Sequence, residues 1–173
     1  MNTIKNYIDY LCDSFLIETV QRYDVKGRRY IGSPFKYYFT DMGLRNARLN
    51  FRQLEETHTM ENIIFNELRI RGFNVDVGVV TQHGHNGKGN GVRKQLEIDF
   101  VCNKGSNRYY IQSAYSVPDM KKMEQEQRSL TMTGDFFKKI IITKDAPAPY
   151  YNNDGILVMS VYDFLLDPDS LKE

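Results

Sequence analysis

Two short alternating runs, Gln95 to Asn103 and Arg108 to Ser116, carry the residues of this 173-residue chain best suited to chemistry. Period-two alternation puts Leu96, Ile98, Phe100 and Cys102 on one side of a strand and Glu97, Asp99, Val101 and Asn103 on the other. Lys104-Gly105-Ser106-Asn107 reads as a turn, after which Tyr109, Ile111, Ser113 and Tyr115 alternate with Tyr110, Gln112, Ala114 and Ser116. A four-residue loop sets a register in which Asn103 opposes Arg108, Asp99 opposes Gln112 and Glu97 opposes Ala114 on a single face. An acid facing an amide is a candidate metal corner.

The elements that must hold this hairpin follow from apolar spacing and breaker residues. Thr59 caps an expected helix reaching about Arg71, with Ile63, Ile64 and Leu68 on its buried face and Gly72 as its stop. Phe73 to Val80 alternates as a buried strand. Thr81 to Gln95 holds four glycines and five basic or histidine residues without an acid, and reads as a basic loop. After the hairpin, Pro118 and Asp119 open a helix to about Met132. Phe136 to Thr143, with Ile140, Ile141 and Ile142 in succession, fits a strand covered on both faces. A proline-containing loop, a strand from Ile156 to Ser160 and a short helix from Val161 to Leu166 complete the chain.

Ahead of this unit, Ile4, Tyr7, Ile8, Leu11 and Cys12 recur at helical spacing behind Thr3. Phe15 to Tyr23 and Lys36 to Thr40 read as strands separated by the Lys26-Gly27-Arg28 turn and the Gly32-Ser33-Pro34 break, a helix followed by a β-wing. Thr40 or Asp41 caps a further helix containing Leu44 and Leu49. From Gln21 through Arg52, eight basic residues stand against two acids, a local charge of +6. Tyr23, Tyr30, Tyr37 and Tyr38 are interleaved with them. Cations for phosphates and rings for stacking make this run a candidate nucleic-acid surface, and a solvated wing with packed tyrosines is the alternative. The DNA-contact candidates are Arg22, Lys26, Arg28 and Arg29 here and Lys88, Arg93 and Lys94 in the basic loop.

Composition narrows the class further. At 41% apolar residues the chain can bury a globular core, and a net charge of +1 gives no overall pull toward polyanions. Cys12 and Cys102 lie far apart, with no zinc-type spacing, which fits a reduced, cytoplasmic chain. No apolar run reaches the length of a membrane span and no signal-peptide pattern opens the sequence. His83 and His85 have no nearby carboxylate, and Asn86 to Gly91 lacks the spacing of an ATP-binding phosphate loop.

The order helix, three-strand meander, helix, strand resembles the core of the PD-(D/E)XK restriction-endonuclease-like fold, with Glu61, Asp99 and Gln112 where that superfamily places its acids. More closely, the chain resembles the DUF4143 region at the C-terminal end of bacterial and archaeal AAA-type ATPases. The resemblance rests on Asn6 to Leu11, Ser33 to Asn46, Glu61 to Gly72, Glu97-Ile98-Asp99-Phe100-Val101 and Tyr110 to Ser116. It implies an α/β (α+β) fold in which a mixed sheet flanked by helices (residues 55–173) follows a partial winged-helix-like segment (residues 1–54). It also implies an ATPase domain outside this chain, which is then a piece of a longer protein or a shortened gene product.

In active members of such a superfamily, carboxylates hold Mg²⁺ and a lysine two residues after the second acid orients the attacking water. The corresponding positions here are Glu61, Asp99 and Gln112 as catalytic and metal-holding residues, and Ala114 in place of the lysine. Glutamine brings an oxygen without charge and alanine replaces none of the lysine's chemistry. A cation from Lys121, Lys122 or Arg128 on the following helix is the candidate compensation. The resulting expectation is a catalytically impaired nuclease-like module that recognises DNA or a partner. An Mg²⁺-dependent DNA nuclease with a rearranged site and a regulatory protein-interaction domain are the alternatives.

Overall fold

The computed structural model describes residues 2–52, 55–85, 91–146 and 148–172. Its elements are α1 (Asn2–Asp13), β1 (Ile17–Asp24), β2 (Arg29–Phe39), α2 (Met42–Arg48), α3 (Glu56–Ile70), β3 (Asn74–His85), β4 (Gly91–Lys104), β5 (Asn107–Ala114), α4 (Met120–Thr131), β6 (Lys138–Thr143), β7 (Tyr150–Tyr151), β8 (Leu157–Ser160) and α5 (Val161–Leu166). The strands form one mixed sheet in the order β2-β1-β3-β4-β5-β6-β8-β7. The expected mixed α/β architecture is therefore present, and no helix among the described residues is long and apolar enough to cross a membrane.

Two apolar layers sandwich the sheet. On one face α3 and α5 cover Phe100, Cys102, Ile111, Ile140 and Ile142 with Ile64, Phe65, Leu68 and Phe164. On the other, Leu130 of α4 packs with Ile98, Val101, Tyr110 and Ile141. The successive isoleucines of β6 thus serve both layers, as a strand buried on both sides requires. At the end of α3, Gly72 adopts φ +79°, the left-handed conformation that closes a helix at little cost for glycine. The expected cap at Thr59 is displaced: α3 starts a turn earlier, with Glu55 at its N-cap position.

The N-terminal region departs from a separate wing. β1 pairs antiparallel with β2 and parallel with β3, through Arg22↔Val77, Tyr23↔Gly78 and Asp24↔Val79. The sheet therefore runs across the expected division at residue 54/55. Backbone pairing with β3 satisfies an edge that a free-standing β-wing would leave open. β2 runs from Arg29 to Phe39, and at the expected Gly32-Ser33-Pro34 break its pairing with β1 is interrupted, the register jumping from Arg22↔Ile31 to Val20↔Lys36. α1 forms as its spacing predicts, but Ile4, Tyr7 and Leu11 are exposed. The expected loop Thr81 to Gln95 is instead strand up to His85 and again from Gly91, the two arms paired from Val79↔Glu97 to His85↔Gly91.

One irregularity decides where the acids point. The β3–β4 ladder shifts between Asp76↔Val101 and Gly78↔Ile98, so Asp99 and Phe100 together face Val77 in a bulge. Glycine at position 78 is required by the close approach here, since a Cβ would lie 2.8 Å from Val101 Cγ2 and 2.9 Å from Ile98 Cβ. Gly78→Ala is expected to cost roughly 1–3 kcal/mol through overpacking. Gly84→Ala, where a Cβ meets nothing within 4 Å, is expected to stay within about 0.5 kcal/mol of wild type. Urea midpoints of the two variants test this, and equal stability would discount the close approach.

Candidate functional site

β2 carries the residue around which the acids gather. Lys36 and Tyr38 alternate inward from this strand, and Tyr38 stacks on Phe65 of α3 with ring centroids 4.2 Å apart. The Lys36 ammonium lies 2.6 Å from Glu61 Oε1, 3.0 Å from Glu97 Oε1 and 3.6 Å from Asp99 Oδ1. Arg22 on β1 reaches Glu97 Oε2 at 2.7 Å and donates from Nε to the Pro34 carbonyl. The Tyr38 hydroxyl donates to Glu61 at 2.6 Å, and the Ser113 amide donates to Asp99 Oδ2 at 2.9 Å. Three carboxylates from α3 and β4 thus meet two cations from β1 and β2.

Electrostatics follow from this count. Burial, reinforced by the nearby Glu61 charge, pushes the Asp99 carboxyl up to about 7, against the opposing pull of Lys36 and the Ser113 amide. Burial alone would lower the Lys36 ammonium, but Asp99, Glu61 and Glu97 outweigh it and hold Lys36 charged above its ordinary range. Burial and the Glu61 carboxylate also raise Tyr38, which keeps its proton and donates. With Asp99 protonated, the two remaining acids balance Lys36 and Arg22.

Glu61 and Asp99 meet around Lys36 on the α3 face. Gln112 is not part of this group. The hairpin keeps the expected register, Asn103↔Arg108 through Phe100↔Ile111, but the bulge turns Asp99 toward α3. Gln112 stays on the α4 face, where its side-chain oxygen accepts from Ser129 at 3.4 Å. The expectation that Asp99 and Gln112 share a face is thereby corrected, because two residues of β4 oppose one of β3. Ala114 packs in the α4-side core. Lys122 on α4 pairs with Glu126 at 2.5 Å, and the cation that meets Asp99 comes instead from Lys36.

Of the DNA-contact candidates, Arg22 is committed to Glu97 and is only a quarter exposed. Arg29 lies 3.8 Å from Asp24 on the surface. Lys26 and Arg28 are exposed at the β1–β2 turn, and Arg93 and Lys94 are exposed on the N-terminal arm of β4. Lys88 lies outside the described residues. Lys36 and Glu97 were both visible in sequence: the strand expected from Lys36 to Thr40 already puts Lys36 and Tyr38 on one face, and Glu97 shares Asp99's alternation. What hid Lys36 was its membership in a long basic run.

Mg²⁺, implied by the nuclease-like resemblance, does not fit this donor set as it stands. Lys36 Nζ already fills the space between Glu61, Glu97 and Asp99, the Tyr38 hydroxyl donates to the same Glu61 oxygen, and the Ser113 amide occupies the second oxygen of Asp99. Among the described residues no three His, Cys, Asp or Glu side chains are arranged to hold an ion. What the cluster can do is bind an ammonium from the chain itself and lock β2 to α3 and β4.

Comparison with known proteins corrects the expected family. The family model that matches is a domain of unknown function, DUF8612, over residues 1–55, in place of the expected DUF4143. The chain is 33% identical over 168 residues to an uncharacterised protein of Haemophilus influenzae, an overlap of 95% of this chain and 37% of that protein. It is 31% identical over 121 residues to an uncharacterised protein of Methanocaldococcus jannaschii, covering 69% of this chain and 24% of the relative. The chain thus spans 37% and 24% of these two relatives' own lengths. No solved structure matches significantly.

Proposed function

We propose that this chain is a non-catalytic, nuclease-like module that recognises nucleic acid. The observation that carries the reading is Lys36, whose ammonium lies within hydrogen-bonding distance of Glu61 and Glu97 and 3.6 Å from Asp99. In a restriction-endonuclease-like arrangement, that space is where a hydrolytic site needs ionised, open oxygens for a divalent cation. Here the acids serve an internal cation, so their contribution is to the rigidity of the sheet. The exposed cations Lys26, Arg28, Arg93 and Lys94 are then left to meet a polyanion, with phosphate contacts supplying affinity.

The experiment is a DNA-binding titration at several salt concentrations, paired with an incubation of single- and double-stranded DNA with Mg²⁺ or Mn²⁺. Binding that weakens steeply with salt and no cleavage are expected. Cleavage that disappears in Asp99→Ala would overturn the non-catalytic reading in favour of a metal-dependent nuclease. No binding at about 25 mM salt, where screening is weak, would overturn nucleic-acid recognition in favour of a protein-interaction role.

A further inference from the structure

Two adjoining cavities of about 640 and 450 Å³ run beside the β4–β5 turn, the larger on the α4 side of the sheet and the smaller around its end, against Tyr109 and Leu171 of the α3/α5 layer. Ser106, Asn107, Arg108 and Phe137 line both, so they form one continuous groove. From this groove we infer a binding site for single-stranded nucleic acid, in which cations take the phosphates and exposed rings stack on the bases. The inference rests on the nucleic-acid-recognition reading above and gives it a location and a strand preference.

Charge and aromatic character coincide here. Lys26 and Arg28 from the β1–β2 turn face the larger cavity, both exposed. Arg108 stands between them and the smaller cavity, its guanidinium 5.4 Å from the centroids of both Tyr23 and Phe137. Its Nε donates to Asn103 at 2.8 Å, so this cation is held in place before any ligand arrives. Among the described residues Asp135 is the sole acid lining the groove; its Oδ2 accepts from the Tyr110 hydroxyl at 2.6 Å, and its Oδ1, without a hydrogen-bond partner, lies 3.9 Å from the Lys139 ammonium. The field inside the groove is therefore positive.

A second observation points to a polar ligand. Thr133 lines the larger cavity, only 5% exposed, and its hydroxyl has no partner among the described residues. Buried hydroxyls are ordinarily satisfied, and this one, at the cavity wall but itself covered, has hydrogen-bonding capacity left. Beside it, Phe136 is fully exposed and Phe137 is 42% exposed. Alternating rings and cations along a groove match a strand whose bases are free to stack, whereas the bases of a duplex are already stacked on one another. Lys26 and Arg28 were singled out by sequence, but Arg108, Thr133 and the two phenylalanines were not, because they come from β5 and the α4–β6 connection.

The test measures anisotropy of a labelled oligothymidylate of about 12 nucleotides, spanning a typical single-strand site, with the whole chain at about 25 mM salt. Its duplex, a 5′-phosphorylated thymidine dinucleotide and inorganic phosphate serve as competitors. Oligothymidylate should bind more tightly than the duplex, and the dinucleotide should compete better than phosphate. Lys26→Ala/Arg28→Ala should weaken binding by roughly tenfold or more, and Phe136→Ala by about fivefold or more. Thr133→Val, which keeps volume, should weaken the dinucleotide but leave the thermal midpoint close to wild type. Strand binding unchanged in all three variants would overturn this site while leaving nucleic-acid recognition standing. Duplex binding equal to single-strand binding, or dinucleotide competition no better than phosphate, would overturn the strand assignment. No binding of any of the four probes would overturn both readings.

Discussion

Lys36→Met is expected to destabilise the protein by roughly 2–4 kcal/mol near neutral pH. Breaking a fully buried ion pair costs about 3–5 kcal/mol, and the 26% exposure of the Lys36 side chain moderates this through solvent screening. The cost arises from what remains. Glu61 and Asp99, both largely buried, would face each other and Glu97 with only Arg22 nearby. The thermal midpoint should fall by roughly 5–15 °C for a chain of this size. Removing one of the stranded charges should restore part of the loss: Lys36→Met/Glu61→Gln is expected to be more stable than Lys36→Met alone, although Glu61→Gln alone destabilises. The penalty should also shrink as pH falls below about 7, because a protonated Asp99 needs no cation. Urea melts of the four proteins form a double-mutant cycle. A coupling energy near zero would mean that the ammonium does not hold the acids together.

This cluster marks the boundary of what the sequence discloses. The β4–β5 hairpin was legible because its register depends on local quantities, an alternating pattern and a four-residue turn. Helix α3 beyond its first turn, its stop at Gly72, the doubly covered β6 and α5 were legible for the same reason, since each is specified by apolar spacing and breaker residues within a few positions. The bulge was not, because the two-against-one count at Asp99 and Phe100 depends on Gly78 across the ladder. A strict period of two, extended through that point, sends Asp99 to the wrong face and pairs it with Gln112. The parallel junction of β1 with β3 was hidden in a similar way: 55 positions of chain (77 − 22) separate Arg22 from Val77, and the basic run disguised β1 and β2 as a free wing. Since Lys36 reaches the acids only by way of that junction, its place among them was beyond any local pattern.

The same geometry determines how each half of the molecule answers to mutation. Acids and cations on the α3 face neutralise each other, so changes there should register in stability before they register in binding. On the α4 face Lys26 and Arg28 have no comparable counter-charges lining the groove, and Thr133 retains an unpaired hydroxyl. Changes there should register in binding with little effect on folding. A module that had kept a hydrolytic site would show the reverse on the α3 face, since sites shaped for chemistry tend to be strained rather than neutralised.

Asp99→Asn is expected to stabilise the protein at about pH 8 and to be close to neutral at about pH 5. The folded carboxyl titrates at about 7 against 3.8 for the unreacted group, so between these values the native state holds a proton that the unfolded chain has released. A group raised in this way contributes stability that is complete below its unfolded value and is lost as pH rises through its folded value. Wild-type stability should therefore carry a downward contribution from about pH 4 to about pH 7, at most about 1.4 kcal/mol per pH unit. Asparagine has no proton to lose, and its side-chain oxygen can still accept from the Ser113 amide. The stability difference between Asp99→Asn and wild type should grow by on the order of 1–3 kcal/mol from about pH 5 to about pH 8, while other titrating groups largely cancel in the difference. Urea midpoints measured across that range decide the matter: a difference independent of pH would show that Asp99 is ionised throughout. The outcome bears on function as well, because a carboxyl that is half-protonated at neutral pH and bonded to a backbone amide is a poor ligand for a hard divalent cation, and Asp99 would then serve the sheet rather than a reaction.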